Sequence, residues 1–115
     1  MKPKLYGYIK CSTTKDAMKL LKDKNIDFDF IDVKEQAPTR EVLEDLILRS
    51  QLDIKKFFNT SGLIYRELNL KDTLHNLSHD EKLQLLSEHG MLIKRVVFDN
   101  HTNVLVGPLK KEKLV

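Results

Sequence analysis

The order of apolar and polar positions divides this chain into short elements. "LYGYI" (5–9) is a run of aromatic and branched residues and predicts a short strand. From Thr14 the spacing turns helical, with Ala17, Leu20, Leu21 and Lys24 separated by polar residues, and Asn25 suits the stop of that helix. "DFDFIDV" (27–33) alternates Phe28 and Phe30 with Asp27 and Asp29 before Ile31 and Val33 shift the phase, and it predicts a second strand. A strand, helix and strand packed so closely imply a right-handed crossover and parallel strands.

"APTREVLEDLILRS" (37–50) predicts a helix capped by Thr39, with Val42, Leu43, Leu46 and Ile47 on one face. "DIKKFFN" (53–59) predicts a helical turn in which Phe57 and Phe58 are core anchors, and "GLIYRELNL" (62–70) another helix. In "LSHDEKLQLLSEHG" (77–90), Ser78 and Glu81 form a capping-box pattern, Leu83, Leu85 and Leu86 supply the apolar face, and Gly90 ends the helix. "RVVFD" (95–99) and "NVLVG" (103–107) predict a hairpin around "NHT", and "LKKEKLV" a last short helix. A parallel pair, a run of helices and an antiparallel hairpin imply an α/β domain with a mixed four-stranded sheet. That is the plan of a thioredoxin-like fold, with a core at about 1–36 and 91–115 and a helical insertion at about 37–90.

Composition narrows the class. With 115 residues, 41% hydrophobic and 32% charged, the chain suits one domain with a modest core. No apolar run has membrane-spanning length, and "MKPKLYGYIK" lacks the apolar stretch of a signal peptide, so a cytoplasmic monomer is expected. The 20 basic residues are nearly balanced by 17 acidic ones, and the basic clusters (Lys55 and Lys56; Lys94 and Arg95; 110–113) are short. They form no stripe that would track phosphates, which argues against direct nucleic-acid binding. His75, His79, His89 and His101 have no metal-type spacing with the one cysteine and read as solvent-facing.

That cysteine, Cys11, falls at the mouth of the first helix, in "YIKCSTTKDA". Free N–H groups there, from Thr13 and Thr14, the helix dipole, and the charges of Lys10 and Lys15 all favour a thiolate, the nucleophilic form. The alternative is a small buried apolar residue. A lone cysteine forms no internal disulfide, in keeping with a reducing compartment.

Several stretches, taken with the order of elements, are similar to the arsenate reductase ArsC and Spx-like family: "YGYIKCSTTKDAMKLL", "IDFDFIDVKEQAPTREVL", "KKFFNTSGLIYRELNLKD" and "LLSEHGMLIKRVVFDN" with "VLVG". The match runs nearly end to end and is nearest to small Gram-positive arsenate-reductase-like members. The resemblance implies a thioredoxin-like fold and a working cysteine at the position of Cys11. In arsenate reductases this cysteine attacks arsenate, and glutathione with glutaredoxin restores it. In Spx-type regulators it belongs to a Cys-x-x-Cys switch on a protein that binds the C-terminal domain of the RNA polymerase α-subunit.

This chain departs from the family pattern in four places. Thr14 stands at the second cysteine position, so no Spx-type disulfide can form. Of three arsenate-binding arginines only Arg95 is matched; Asn59 takes the place of the second, and "VLVGPLKKEKLV" offers no third. At about 1.5–3 kcal/mol for each charge-assisted bond, losing two weakens oxyanion capture about a hundredfold or more. Val96 follows Arg95 where the family has a cis-proline, and a non-proline cis bond costs about 3 kcal/mol, so a trans peptide is expected.

The first expectation is a single-cysteine thiol–disulfide oxidoreductase or redox-responsive protein. Cys11 would form mixed disulfides with a low-molecular-weight thiol as co-substrate, or with a glutaredoxin-like or other protein thiol, and no cofactor would be bound. Cys11 and Arg95 would carry the chemistry. Arg95 and Lys10 would hold an anionic group, with donors from Ser12, Thr13 and Thr14. Asn59, Thr60 and Ser61 are expected opposite Cys11 on the resemblance alone. The second is an Spx-like regulator of RNA polymerase, its contact surface around "RSQLDIKK", although Leu52 and Asp53 occupy the region of that surface's glycine. Arsenate reduction comes third.

Overall fold

The computed structural model describes residues 1–114. Its four strands are β1 (Lys4–Gly7), β2 (Asp29–Asp32), β3 (Val97–Asp99) and β4 (Val104–Val106), ordered β2-β1-β3-β4. β1 and β2 run parallel with Gly7 opposite Asp32, while β1–β3 and β3–β4 are antiparallel. The mixed sheet inferred from the pattern is therefore present.

Helix α1 (Ser12–Asp23) makes the crossover between β1 and β2, and the chain leaves it through Asn25 in the left-handed region (φ 58°). α2 (Arg40–Ser50) starts at Thr39, whose hydroxyl accepts from the Val42 N–H. A 3₁₀ turn at Ile54–Phe57 follows, then α3 (Leu63–Glu67), α4 (Leu70–Thr73) and a 3₁₀ turn at Leu74–Asn76. α5 (His79–Glu88) carries the full Ser78–Glu81 capping box. Lys111–Leu114 forms the final 3₁₀ turn.

Alternation along the strands gives each face of the sheet its own core. Leu5, Val96 and Phe98 pack with Ala17 and Leu21 of α1. Tyr6 and Val97 face the other way, onto a larger cluster with Leu43, Leu46, Phe57, Phe58, Leu83 and Leu86 from the inserted helices. Phe57 and Phe58 are fully buried, as anchors should be.

Three local expectations fail for physical reasons. The helix at 62–70 is two short pieces, because Asn69 adopts a left-handed conformation (φ 53°) that no helix interior tolerates. Val42 is 39% exposed; α2 buries the narrower stripe of Leu43, Leu46 and Ile47. α5 ends at Glu88, and Gly90 opens a 3₁₀ turn pressed against β2's end: a Cβ there would lie 1.8 Å from the Val33 carbonyl oxygen. Close approach, rather than a left-handed turn, is what position 90 requires of glycine.

Candidate functional site

β1 passes into α1 through a tight elbow. Ile9 and Lys10 form its exposed tip, and the Cys11 N–H closes it by donating to the Tyr8 carbonyl at 2.9 Å. Cys11 is the N-cap residue of α1, in an extended conformation, and its carbonyl accepts the first helical bond from the Lys15 N–H at 3.1 Å. In that slot the side chain faces the amides two and three positions on, those of Thr13 and Thr14. The thiol is partly exposed.

Partial burial pushes the Cys11 thiol up, but the Thr14 amide, the Arg95 guanidinium and the Thr13 amide outweigh it and hold the thiol below its ordinary value. Sγ makes no closed capping hydrogen bond in this conformer, so the amides act on it as oriented dipoles. Thiolate character and access coincide at this atom.

Arg95 reaches the elbow from the loop that precedes β3. Its Nη1 donates to the Met91 carbonyl at 3.1 Å, and its guanidinium lies 5.8 Å from the Tyr8 ring centre. None of these partners carries negative charge. The peptide that follows, Arg95–Val96, is cis, where the sequence predicts trans. Val96 is fully buried against the α1-side core, and its N–H and C=O both pair with Gly107, at 3.3 and 2.8 Å. Tertiary packing around a branched side chain therefore overrides the local preference for trans.

Thr14 has a different role from the one expected of it. Its side chain is fully buried, and its hydroxyl accepts from the Tyr8 N–H at 3.1 Å. A Cβ on Gly7 would come within 2.7 Å of that hydroxyl, so the glycine makes room for it. Thr14 braces the elbow with its side chain and meets the thiol only through its amide.

The other expected residues divide. Thr13 contributes its amide, whereas Ser12 and Lys10 are exposed and are not among the groups that shift the thiol. Asn59 is tied through its N–H to the Leu92 carbonyl at 2.6 Å and packs over Gly62. Thr60 lines a cleft of about 630 Å³ with Lys55, Phe58, Tyr65 and Lys94, and Cys11 is not part of that lining. Neither residue is among the groups that shift the Cys11 thiol. Two side chains that the pattern did not single out, Tyr8 and Lys34, do stand at the elbow: the Lys34 Nζ lies 5.9 Å from the Tyr8 ring centre. The predicted parallel pairing was the available signal, since it sets Val33 opposite Tyr8 and leaves Lys34 in the turn that follows. Among the described residues, no three histidine, cysteine, aspartate or glutamate side chains gather as metal ligands, and no helix is long and apolar enough to cross a membrane.

Comparison with known proteins places this geometry among relatives. Residues 6–113 match the ArsC family. Over 102 residues the chain is 48% identical to the uncharacterised protein YusI of Bacillus subtilis, covering 89% of this chain and 86% of YusI. It is 24% identical to the regulatory protein MgsR of the same organism over 89% of this chain and 79% of MgsR. An ArsC family related protein from Bacteroides fragilis superposes with a TM-score of 0.94 at 38% identity, over 99% of this chain and 95% of that one.

Proposed function

This chain belongs to the ArsC family, and from that premise we propose that it is a single-cysteine thiol–disulfide exchange protein working through Cys11. One observation carries the reading: a partly exposed thiol at a helix N-cap, held below its ordinary value by two amides and an arginine that has no carboxylate partner among the described residues. The Cys11 thiolate attacks one sulfur of a disulfide RSSR, forming Cys11–S–S–R and releasing RS⁻, which takes a proton from water. One S–S bond forms as one breaks. A second thiol then attacks the adduct and returns Cys11 to its reduced form. With Thr14 in place of a second cysteine, that resolving thiol comes from another molecule.

Arsenate reduction fits less well. Of the four arginines in the chain, Arg40 pairs with Asp80, Arg49 with Asp45 and Asp99, Arg66 is exposed on α3, and Arg95 is the one that acts on the thiol. A second reading, an Spx-like regulator that binds the C-terminal domain of the RNA polymerase α-subunit, draws on the similarity to the regulatory protein MgsR. A pull-down with that domain tests it, and absence of association removes it.

The exchange reading is tested by incubating the protein with oxidised small thiols and measuring intact mass, beside Cys11→Ser. The expected result is a single adduct on the wild type that dithiothreitol removes, and none on the variant. An unmodified wild type would defeat the proposal.

A further inference from the structure

We infer that Tyr8 is a positioning residue for Cys11: its ring, anchored to the elbow through its own backbone, holds the Arg95 guanidinium there. The inference rests on the exchange reading above and adds the residue that keeps the arginine within reach of the sulfur.

Tyr8 is fixed on both sides of its backbone. Its N–H donates to the Thr14 hydroxyl at 3.1 Å, and its carbonyl accepts from the Cys11 N–H at 2.9 Å. The ring therefore starts from a point that is tied to the cysteine and to the first turn of α1. The Arg95 guanidinium lies 5.8 Å from the centre of that ring. A cation at this distance from an aromatic face is attracted to it without being neutralised, so its position is restricted while its charge stays available.

The other contacts of Arg95 give no such tie. The Met91 carbonyl, 3.1 Å from Nη1, and the Met91 sulfur, at 3.9 Å, lie four residues back on the same segment, and they fix the guanidinium only against its own loop. Among the described residues no carboxylate stands within ion-pair distance of it. Cys11 apart, the Tyr8 ring is the contact among the described residues that joins this guanidinium to the elbow. Lys34 also lies near the ring, at 5.9 Å, but it is exposed, its turn is set by the Asp32 carboxylate, and it is not among the groups that shift the thiol.

The test follows iodoacetamide alkylation of Cys11 across pH in Tyr8→Leu, Tyr8→Phe, Arg95→Ala and the Tyr8→Leu, Arg95→Ala double variant. Tyr8→Leu is expected to move the midpoint up and to slow alkylation at pH 7 about two- to fivefold, whereas Tyr8→Phe, which keeps the ring face, stays at the wild-type rate. Tyr8→Ile repeats the comparison with a side chain suited to a strand end, should the leucine variant not fold. In the Arg95→Ala background the Tyr8 substitution should change nothing further, because the ring acts through the arginine. An equal loss with and without Arg95 would assign the ring a purely structural role and overturn the inference, as would a Tyr8→Leu rate equal to that of the wild type. Either result leaves thiol exchange intact, since the adduct with oxidised small thiols is read separately by intact mass. A wild-type midpoint at the ordinary thiol value of about 8.5, with no such adduct, overturns both.

Discussion

Two arginines in this molecule reach the ends of the same sheet under opposite conditions. Arg49, from α2, grips the Asp99 carboxylate of β3 with two nitrogens at 2.7 and 2.9 Å and holds Asp45 as well. Asp99 is buried, and it also accepts from the His101 N–H at 2.9 Å. Among the described residues Arg95 has a carbonyl, a thioether and an aromatic ring around its guanidinium, with the cysteine beside it. The first arginine is satisfied by fixed carboxylates and ties the inserted helices to the sheet. The second is restrained by neutral groups, so its charge remains available to a thiolate or to an incoming anion. The difference teaches that the partner, and not the residue type, marks a functional arginine.

The comparison breaks most visibly at Arg49. Arg49→Ala should cost about 3–5 kcal/mol of stability in urea unfolding, because it strands a buried carboxylate. Alkylation of Cys11 at neutral pH should be nearly unchanged. Arg95→Ala should do the reverse: stability within about 1 kcal/mol of wild type, and alkylation by iodoacetamide about three- to tenfold slower at pH 7.

Thr14→Val lies between the two arginines in effect. It leaves the Tyr8 N–H without an acceptor, and a loss of about 1–2 kcal/mol is expected by the same unfolding measurement.

Titration sharpens the contrast in the other direction. Burial pushes the Asp99 carboxyl up, but Arg49 and the His101 N–H outweigh it and hold it below the usual carboxylate range. The unfolded state therefore takes up its proton first as pH falls. The stabilisation from Asp99 is complete above about pH 5 and is lost as pH drops through the folded value, below the ordinary carboxylate value of about 3.9. Unfolding followed from pH 6 to 2 should lose this component in Arg49→Ala. The Cys11 alkylation profile should have its midpoint below the ordinary thiol value of about 8.5, and in Arg95→Ala that midpoint should move up. This midpoint shift is the smallest effect expected.

Most of the fold was legible because each element declares itself locally. Alternation marked the strands, Thr39 and Ser78 marked helix starts, and the phenylalanine pair marked the join between insertion and core. The break at Asn69 was hidden, since asparagine is acceptable both within a helix and in a left-handed turn, and packing decides between them. At the site, the cysteine could be read from its place between strand and helix. Thr14's turn inward could not, because a threonine in a first helical turn can face either solvent or the preceding strand. Tyr8 and Lys34 are far apart in sequence and meet only through the pairing of β1 with β2, and no residue type around Val96 marks its cis peptide.

Thr14 gives one further consequence, for the chain's capacity to change. A second thiol one helical turn from Cys11 requires Thr14→Cys, and that position already supplies the acceptor that steadies Tyr8. Sulfur is a poor acceptor and bulkier than oxygen, and the slot under Gly7 is fitted closely to the hydroxyl. Acquiring an internal switch would thus loosen the elbow that places Cys11, so a second thiol would come at the expense of the first one's setting.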